Sequence, residues 1–208
     1  MAIAFDAAST GTSHTSTGSD RTIWTMFFTT GGDTVTAVSI GGVGYTKVGS
    51  IQRADAVNRW VSLWRAVGQP TGAQTITVTG AYALIASSSY TGCDQTTQPD
   101  NGSNTSTANT TSLGIANTSI TDNSLAVGAF INHNFVISAG AGTQIRANAA
   151  SGVGMYDATS GTSPAGSKTL TVSPTSSDNL AGVVAHIRPV AAAAPATRQT
   201  LTMMGVGS

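Results

Sequence analysis

Nine aspartates, three histidines and one cysteine are the groups in this 208-residue chain that could serve as acids, bases, nucleophiles or metal ligands; glutamate is absent. Glycoside cleavage needs two carboxyl groups about 5–9.5 Å apart. Most of the carboxylates here (Asp20, Asp33, Asp55, Asp94, Asp100, Asp122 and Asp178) stand in turn-like sequence, where Asp bonds the nearby backbone. His14, His133 and His186 are isolated and match no zinc spacing. Cys93 alone can form neither an intrachain disulfide nor a thiolate metal site. There is no Gly-x-Ser-x-Gly elbow, and Gly31-Gly32 and Gly41-Gly42-Val43-Gly44 lack the Lys-Ser/Thr ending of a phosphate loop. The sequence therefore predicts no enzyme and no cofactor.

Two groups of residues remain as binding candidates. The loop 94–104 gathers oxygen ligands on Asp94, Asp100, Asn101 and Asn104. Calcium takes six to eight oxygens on such flexible loops, but the spacing is not that of an EF-hand, and a solvated loop is expected. Trp60 and Trp64 are four apart, so a strand turns both to one face and Val61 and Leu63 to the other. At least one Trp is expected in the core. Trp60 exposed beside Tyr45 or Tyr82 would make a sugar-stacking platform or an interface anchor.

The elements that must position these groups read as strands. Lys47 and Lys168 are the only lysines, charged residues make up 9%, and Thr, Ser, Ala, Gly and Asn take their place. Thr suits strands, while Ser, Asn and Gly suit turns. Hydrophobic residues are 40%, enough for a core. Strand-like runs cover 2–7, 22–30, 34–40, 43–48, 59–67, 74–79, 81–90, 124–131, 143–147, 153–158, 168–173 and 180–187. Residues 22–30 are apolar on both alternating faces, the pattern of a strand covered on both sides. Gly41-Gly42 between two runs reads as a hairpin turn. Residues 91–123 read as a long Asn/Thr/Ser loop with one short strand at 111–115. The polar turn at 17–24 is weakly echoed at 121–127, each leading into a core strand.

The fold expected is all-β: a two-sheet antiparallel β-sandwich over residues 1–189, jelly-roll-like, with a linker and extended C-terminal tail at 190–208. Pro189 ends the last strand because it cannot donate to a ladder. The tail is apolar and uncharged at Thr200, Leu201, Thr202, Met203, Met204 and Val206. One reading is a frayed end; because a solvated tail would be polar, the other is that these residues contact a neighbouring subunit, as an added strand.

Several segments in order carry a likeness. They are Asp20-Arg21-Thr22-Ile23-Trp24, residues 34–43, Leu63-Trp64, Pro70-Thr71-Gly72 and Thr75-Ile76-Thr77-Val78. Residues 88–95, Ser124-Leu125-Ala126-Val127 and residues 183–189 complete the set. From about residue 3 to residue 189 the chain resembles a jelly-roll-like β-sandwich domain that recurs in tailed-bacteriophage structural proteins and bacterial surface proteins. That family usually has an aliphatic residue where Cys93 stands, which implies a buried, apolar role for Cys93. The resemblance supplies no catalytic signature.

Formal net charge is zero, whereas a free soluble domain carries about 2–8 charges, so a surface covered by copies of itself or by a larger particle is expected. A neutral surface gives no field for nucleic acid or acidic lipid. No apolar run approaches the ~20 residues that span a membrane, and the N-terminus lacks the pattern of a signal peptide. The expectation is a bacteriophage virion protein (a head-decoration, spike or tail surface protein), made in the host cytoplasm. It would contact its own copies and other virion proteins. The alternative is a carbohydrate-binding adhesin module that meets a host surface glycan.

Overall fold

Runs of Val, Ile, Thr and aromatics between Gly, Asn and Asp clusters form antiparallel strands throughout the computed structural model, which describes residues 2–53, 55, 58–132, 135–150 and 152–191. No helix occurs among the described residues. The first half supplies β1 (Ala4–Ser9), β2 (Ser13–Ser16), β3 (Thr22–Thr30), β4 (Ala37–Ile40) and β5 (Val43–Gly44). It continues with β6 (Thr46–Gln52), β7 (Arg59–Val67), β8 (Gly72–Thr79) and β9 (Leu84–Thr91). These make a five-stranded sheet, β1-β9-β3-β7-β6, and a four-stranded sheet, β2-β8-β4-β5. Gly41 and Gly42 turn the β4–β5 hairpin with φ of 53° and 83°, the left-handed pair that a tight two-residue turn requires.

The second half repeats the plan with β10 (Asn104–Thr110), β11 (Leu113–Thr118), β12 (Leu125–Ile131) and β13 (Ile137–Ala139). β14 (Thr143–Ala150), β15 (Val153–Ala158), β16 (Ser167–Pro174) and β17 (Asp178–Ile187) complete it. Its sheets are ordered β10-β17-β12-β15-β14 and β11-β16-β13. Strand for strand, β10, β17, β12, β15 and β14 occupy the places of β1, β9, β3, β7 and β6. Likewise β11, β16 and β13 occupy those of β2, β8 and β4. In each half the last strand returns beside the first, a Greek-key, jelly-roll-like closure.

The two five-stranded sheets lie face to face. β1 lies over β14, β9 over β14 and β15, β3 over β15, β7 over β12 and β17, and β6 over β17 and β10. The strand orders therefore run in opposite senses, and an approximate twofold axis passes between the halves. One continuous core fills this interface, with Trp24, Met26, Val61 and Leu63 from the first half and Val127, Met155, Val183 and Ile187 from the second. The two smaller sheets cover the outer faces, so the molecule is a four-layer stack.

Layering explains the residue pattern. Trp24 and Met26 face the central core, while Ile23 and Phe27 join the outer cluster of the first half with Trp64, Ile40 and Ile76. That is why β3 is apolar on both faces, as the sequence indicated, and why β12, β15 and β17 are buried along their length. The correspondence reaches side chains. Thr22 lies opposite Tyr90 as Leu125 lies opposite Ile187, which places Phe27 and Phe130 at equivalent positions, and likewise Trp64 and Tyr156. The edge-to-face pair Phe27–Trp64 (centroids 6.4 Å) thus has its counterpart in Phe130–Tyr156 (5.4 Å). Such pairs add about 0.5–1.5 kcal/mol beyond area burial.

The expected all-β antiparallel sandwich is present, built from four sheets rather than two. The stretch 91–123 holds two strands, β10 and β11, where one short strand was expected. β10 reads Asn-Thr-Ser-Thr-Ala-Asn-Thr and has no apolar alternation; pairing with β17 defines it. The polar echo at 17–24 and 121–127 leads into β3 and β12, the equivalent central strands. Tail residues 192–208, including Thr200, Leu201, Thr202, Met203, Met204 and Val206, lie outside the described residues, as does His133.

Candidate functional site

Asp157 is the most constrained carboxylate, and it sits in the interface between the halves. On β15 it is 0% exposed, accepting a hydrogen bond from Tyr90 Oη of β9 at 3.0 Å and one from Arg146 Nε of β14 at 2.6 Å. The Arg146 guanidinium lies 4.1 Å above the Phe5 ring, and Phe5 packs edge-on to Tyr90. Burial raises the Asp157 carboxyl above the usual carboxylate range, with Arg146 and Tyr90 pulling the other way. The same burial, with the Asp157 charge beside it, holds the Tyr90 phenol well above its ordinary value. This set ties one half to the other.

Most of the remaining aspartates hold structure together. Asp33, Asp55 and Asp94 pair with Lys47, Arg53 and Arg188. Asp6 accepts from Thr17 N, Thr17 Oγ1 and Ser89 Oγ; Asp122 accepts from Ala165 N. In the loop 94–104, Asp94 Oδ1 accepts from Thr96 N, Thr96 Oγ1 and Thr97 N, an Asx-type turn. Asp100 Oδ2 accepts from Ile120 N and Thr121 N, and Asn101 Oδ1 from Gly102 N. Asn101 and Asn104 donate to Thr118 O and Ala116 O. These oxygens are directed at separate backbone groups. Among the described residues no three His, Cys or Asp side chains cluster as a metal site would require.

The two described histidines are interior groups, each with a hydrogen-bond partner. His186 is 0% exposed, with Nδ1 2.8 Å from Asn117 Oδ1. Asn117 donates its amide to Gly102 O, so its oxygen faces the ring and Nδ1 carries the proton. Burial pulls the His186 pKa down to about 4. His14 Nδ1 lies 2.7 Å from Ser87 Oγ, and burial lowers its pKa too. Cys93 is fully buried, as the resemblance implied, and burial pushes its thiol up to about 12.

Trp60 and Trp64 share a face of β7, as their spacing indicated. Trp64 is buried, 4% exposed, and donates to Ser62 Oγ; Trp60 is half-buried and donates to Asn58 Oδ1 at 3.2 Å. Tyr45 and Tyr82 pack at the rim of the outer cluster of the first half, and Trp60 is not part of it. Tyr45 Oη accepts from Thr25, and Tyr82 sits edge-on to Phe27 at 5.4 Å. The groove that the sequence did not reveal is a depression of about 260 Å³ between the halves, lined by Phe28, Arg59, Leu84, Asn132 and Val153 among others. Its residues come from strands of both halves, so no local signal marks it. Two further depressions, at 121–123 with 188–191 and at 101–104 with 117–118, contain one carboxylate and none.

No helix among the described residues is long and apolar enough to cross a membrane. No protein-family model matches the chain, and no curated protein or solved structure matches it.

Proposed function

We propose that this chain is a non-enzymatic structural protein of a bacteriophage virion, set on the head or tail surface in many copies. The observation that carries the reading is the surface chemistry: a four-layer β stack with only 9% charged residues and zero formal net charge. Such a surface has little electrostatic repulsion between copies and suits permanent contact with neighbours. The carboxylates support the same reading, since most are engaged by backbone, hydroxyl or cationic groups and no described depression is lined by two of them. The likeness of residues 3–189 to a sandwich domain of phage structural and bacterial surface proteins is compatible with it. The apolar residues 200–206 are assigned the contact with a neighbouring subunit. Mass spectrometry of purified virions is expected to detect the chain at high copy number. Its absence from intact particles would overturn the proposal.

A carbohydrate-binding module is the second reading, favoured by the groove that combines Phe28 with Arg59 and Asn132. It requires saturable binding on a glycan array that Arg59→Ala abolishes; under the structural reading the array is blank.

A further inference from the structure

The two large sheets have four edges, and three of them are guarded in the same way. β1 bulges between Phe5 and Ala7, with Asp6 at the bulge. β6 bulges between Lys47 and Gly49. β14 bulges twice, the first time at Arg146 between Ile145 and Ala147. Bulges and charged side chains are the devices by which natural sheets prevent strand addition at an open edge. In a chain with so few charges, one at each of these edges is a large share of the supply. β10 has neither device. It pairs with β17 over Asn104–Thr110 without a register shift, and it contains no charged residue and no proline.

β10 is also open. None of its residues is buried, and Asn104, Thr105, Thr107 and Asn109 are exposed. Among the described residues the backbone of 105–109 finds hydrogen-bond partners only in β17. An edge strand turns alternate N–H and C=O groups outward, so several lack a protein partner here. The nearby edge of β11 differs, since its Ala116 and Thr118 carbonyls accept from Asn104 and Asn101.

We propose that β10 is a docking edge for a second copy of this chain, and that two β10 strands pair antiparallel about a twofold axis into one ten-stranded sheet. The chemistry of the strand selects that partner. Centred on Thr107, self-pairing sets Thr107 against Thr107, Ser106 against Ala108 and Thr105 against Asn109. Polar cross-strand pairs of this kind are favourable, and no like charges meet. Self-pairing of β1, β6 or β14 would instead bring two copies of Asp6, Lys47 or Arg146 into one narrow seam. An isologous contact closes on itself, so it yields a dimer and not a fibre. The interface is narrow, and a Kd of about 1–100 μM is expected, which many copies on one shell would strengthen by avidity. The inference names a contact that the packing reading leaves open, and it is tested on the isolated chain, so absence from virions would not touch it.

Sedimentation equilibrium of the full chain at roughly 1–500 μM, bracketing that Kd, should show a monomer–dimer equilibrium. Thr107→Lys places like charges at the centre and should weaken it by roughly tenfold or more. Thr77→Lys, on an exposed position of β8 in an outer sheet, should leave it unchanged. Thr107→Cys should give a disulfide-linked dimer under mild oxidation, Cys93 being buried and out of competition. That cross-link decides the matter even if the lysine variant folds poorly. A monomer throughout the range would overturn the proposal. So would a dimer that Thr107→Lys leaves intact, or one lost only on deleting 196–208, which would give the contact to the tail.

Discussion

In the first half the returning strand β9 carries Ser87, Ser88 and Ser89, all buried; the equivalent positions of β17 in the second half hold Val184, Ala185 and His186. One topology has thus been filled with two kinds of material. The serine version needs partners, since a buried hydroxyl left unbonded costs about 1–3 kcal/mol. Ser87 meets His14 and Ser9, and Ser89 meets Asp6, whereas the Ser88 hydroxyl is buried without such a partner. The aliphatic version needs only shape, and its single polar intrusion, His186, is met by Asn117. Backbone order and the edge-to-face aromatic pair persist between the halves while the rest of the core is free to differ. This is the tolerance expected when volume and pattern matter more than identity.

The largest effect should come from emptying the equivalent aromatic position. Phe130 is 0% exposed, its ring lying against the backbone of Gly182, where an added Cβ would come within 2.5 Å of the ring. Phe130→Ala should cost about 3–5 kcal/mol in chemical denaturation, and Phe27→Ala a similar amount. All three tryptophans, Trp24, Trp60 and Trp64, lie in the first half. Because the central core is shared, Phe130→Ala should shift the tryptophan-fluorescence and circular-dichroism transitions together. A circular-dichroism transition that fluorescence does not follow would mean that the halves unfold separately.

Acid should separate the halves next. His186 titrates near 4 in the folded chain against about 6.5 unfolded, so between these values the unfolded chain binds a proton that the folded chain does not. Stability is then full above pH 6.5 and falls as pH drops towards 4, by on the order of 2–3 kcal/mol. His14 acts in the same direction, and Asp157, raised by burial, in the opposite one. The contribution is therefore read as the difference in pH slope between the wild type and His186→Gln, which should be the flatter. Equal slopes would remove His186 as the acid-sensitive group.

The polar link between the halves is one-sided, since Ile187 stands where the twofold would repeat Tyr90. Tyr90→Phe leaves Asp157 its bond to Arg146 and should cost about 1–2 kcal/mol by thermal melting. A neutral result would mean that apolar packing alone registers the two large sheets.

The ends of β3, β7 and β15 were legible in the sequence because their alternate side chains enter different apolar layers. β2, β10 and β13 were not. Ser13–Ser16 and Asn104–Thr110 are polar on both faces, and backbone pairing with β8 and β17 defines them. The four-layer stack was half visible. Residues 22–30 announced a strand covered on both sides, and the same reading of 125–131, 153–158 and 180–187 implies more covered strands than two sheets allow. The inter-half groove draws residues from both halves, and in the polar link Tyr90 lies 67 positions from Asp157, so no periodicity reports either.

The smallest predicted effect sharpens the contrast between the equivalent edges β1 and β10. Asp6 holds Thr17 and Ser89 from a partly exposed position, and these bonds keep its carboxyl below the usual range despite some burial that raises it. Asp6→Ser should therefore cost less than about 1 kcal/mol. It removes the charge at that edge but leaves the bulge between Phe5 and Ala7. If geometry guards β1, the variant should associate no more strongly than the wild type in sedimentation. If a second mode of association appears, the charge rather than the bulge kept the edge of β1 closed, and the missing carboxylate is the difference that leaves β10 open.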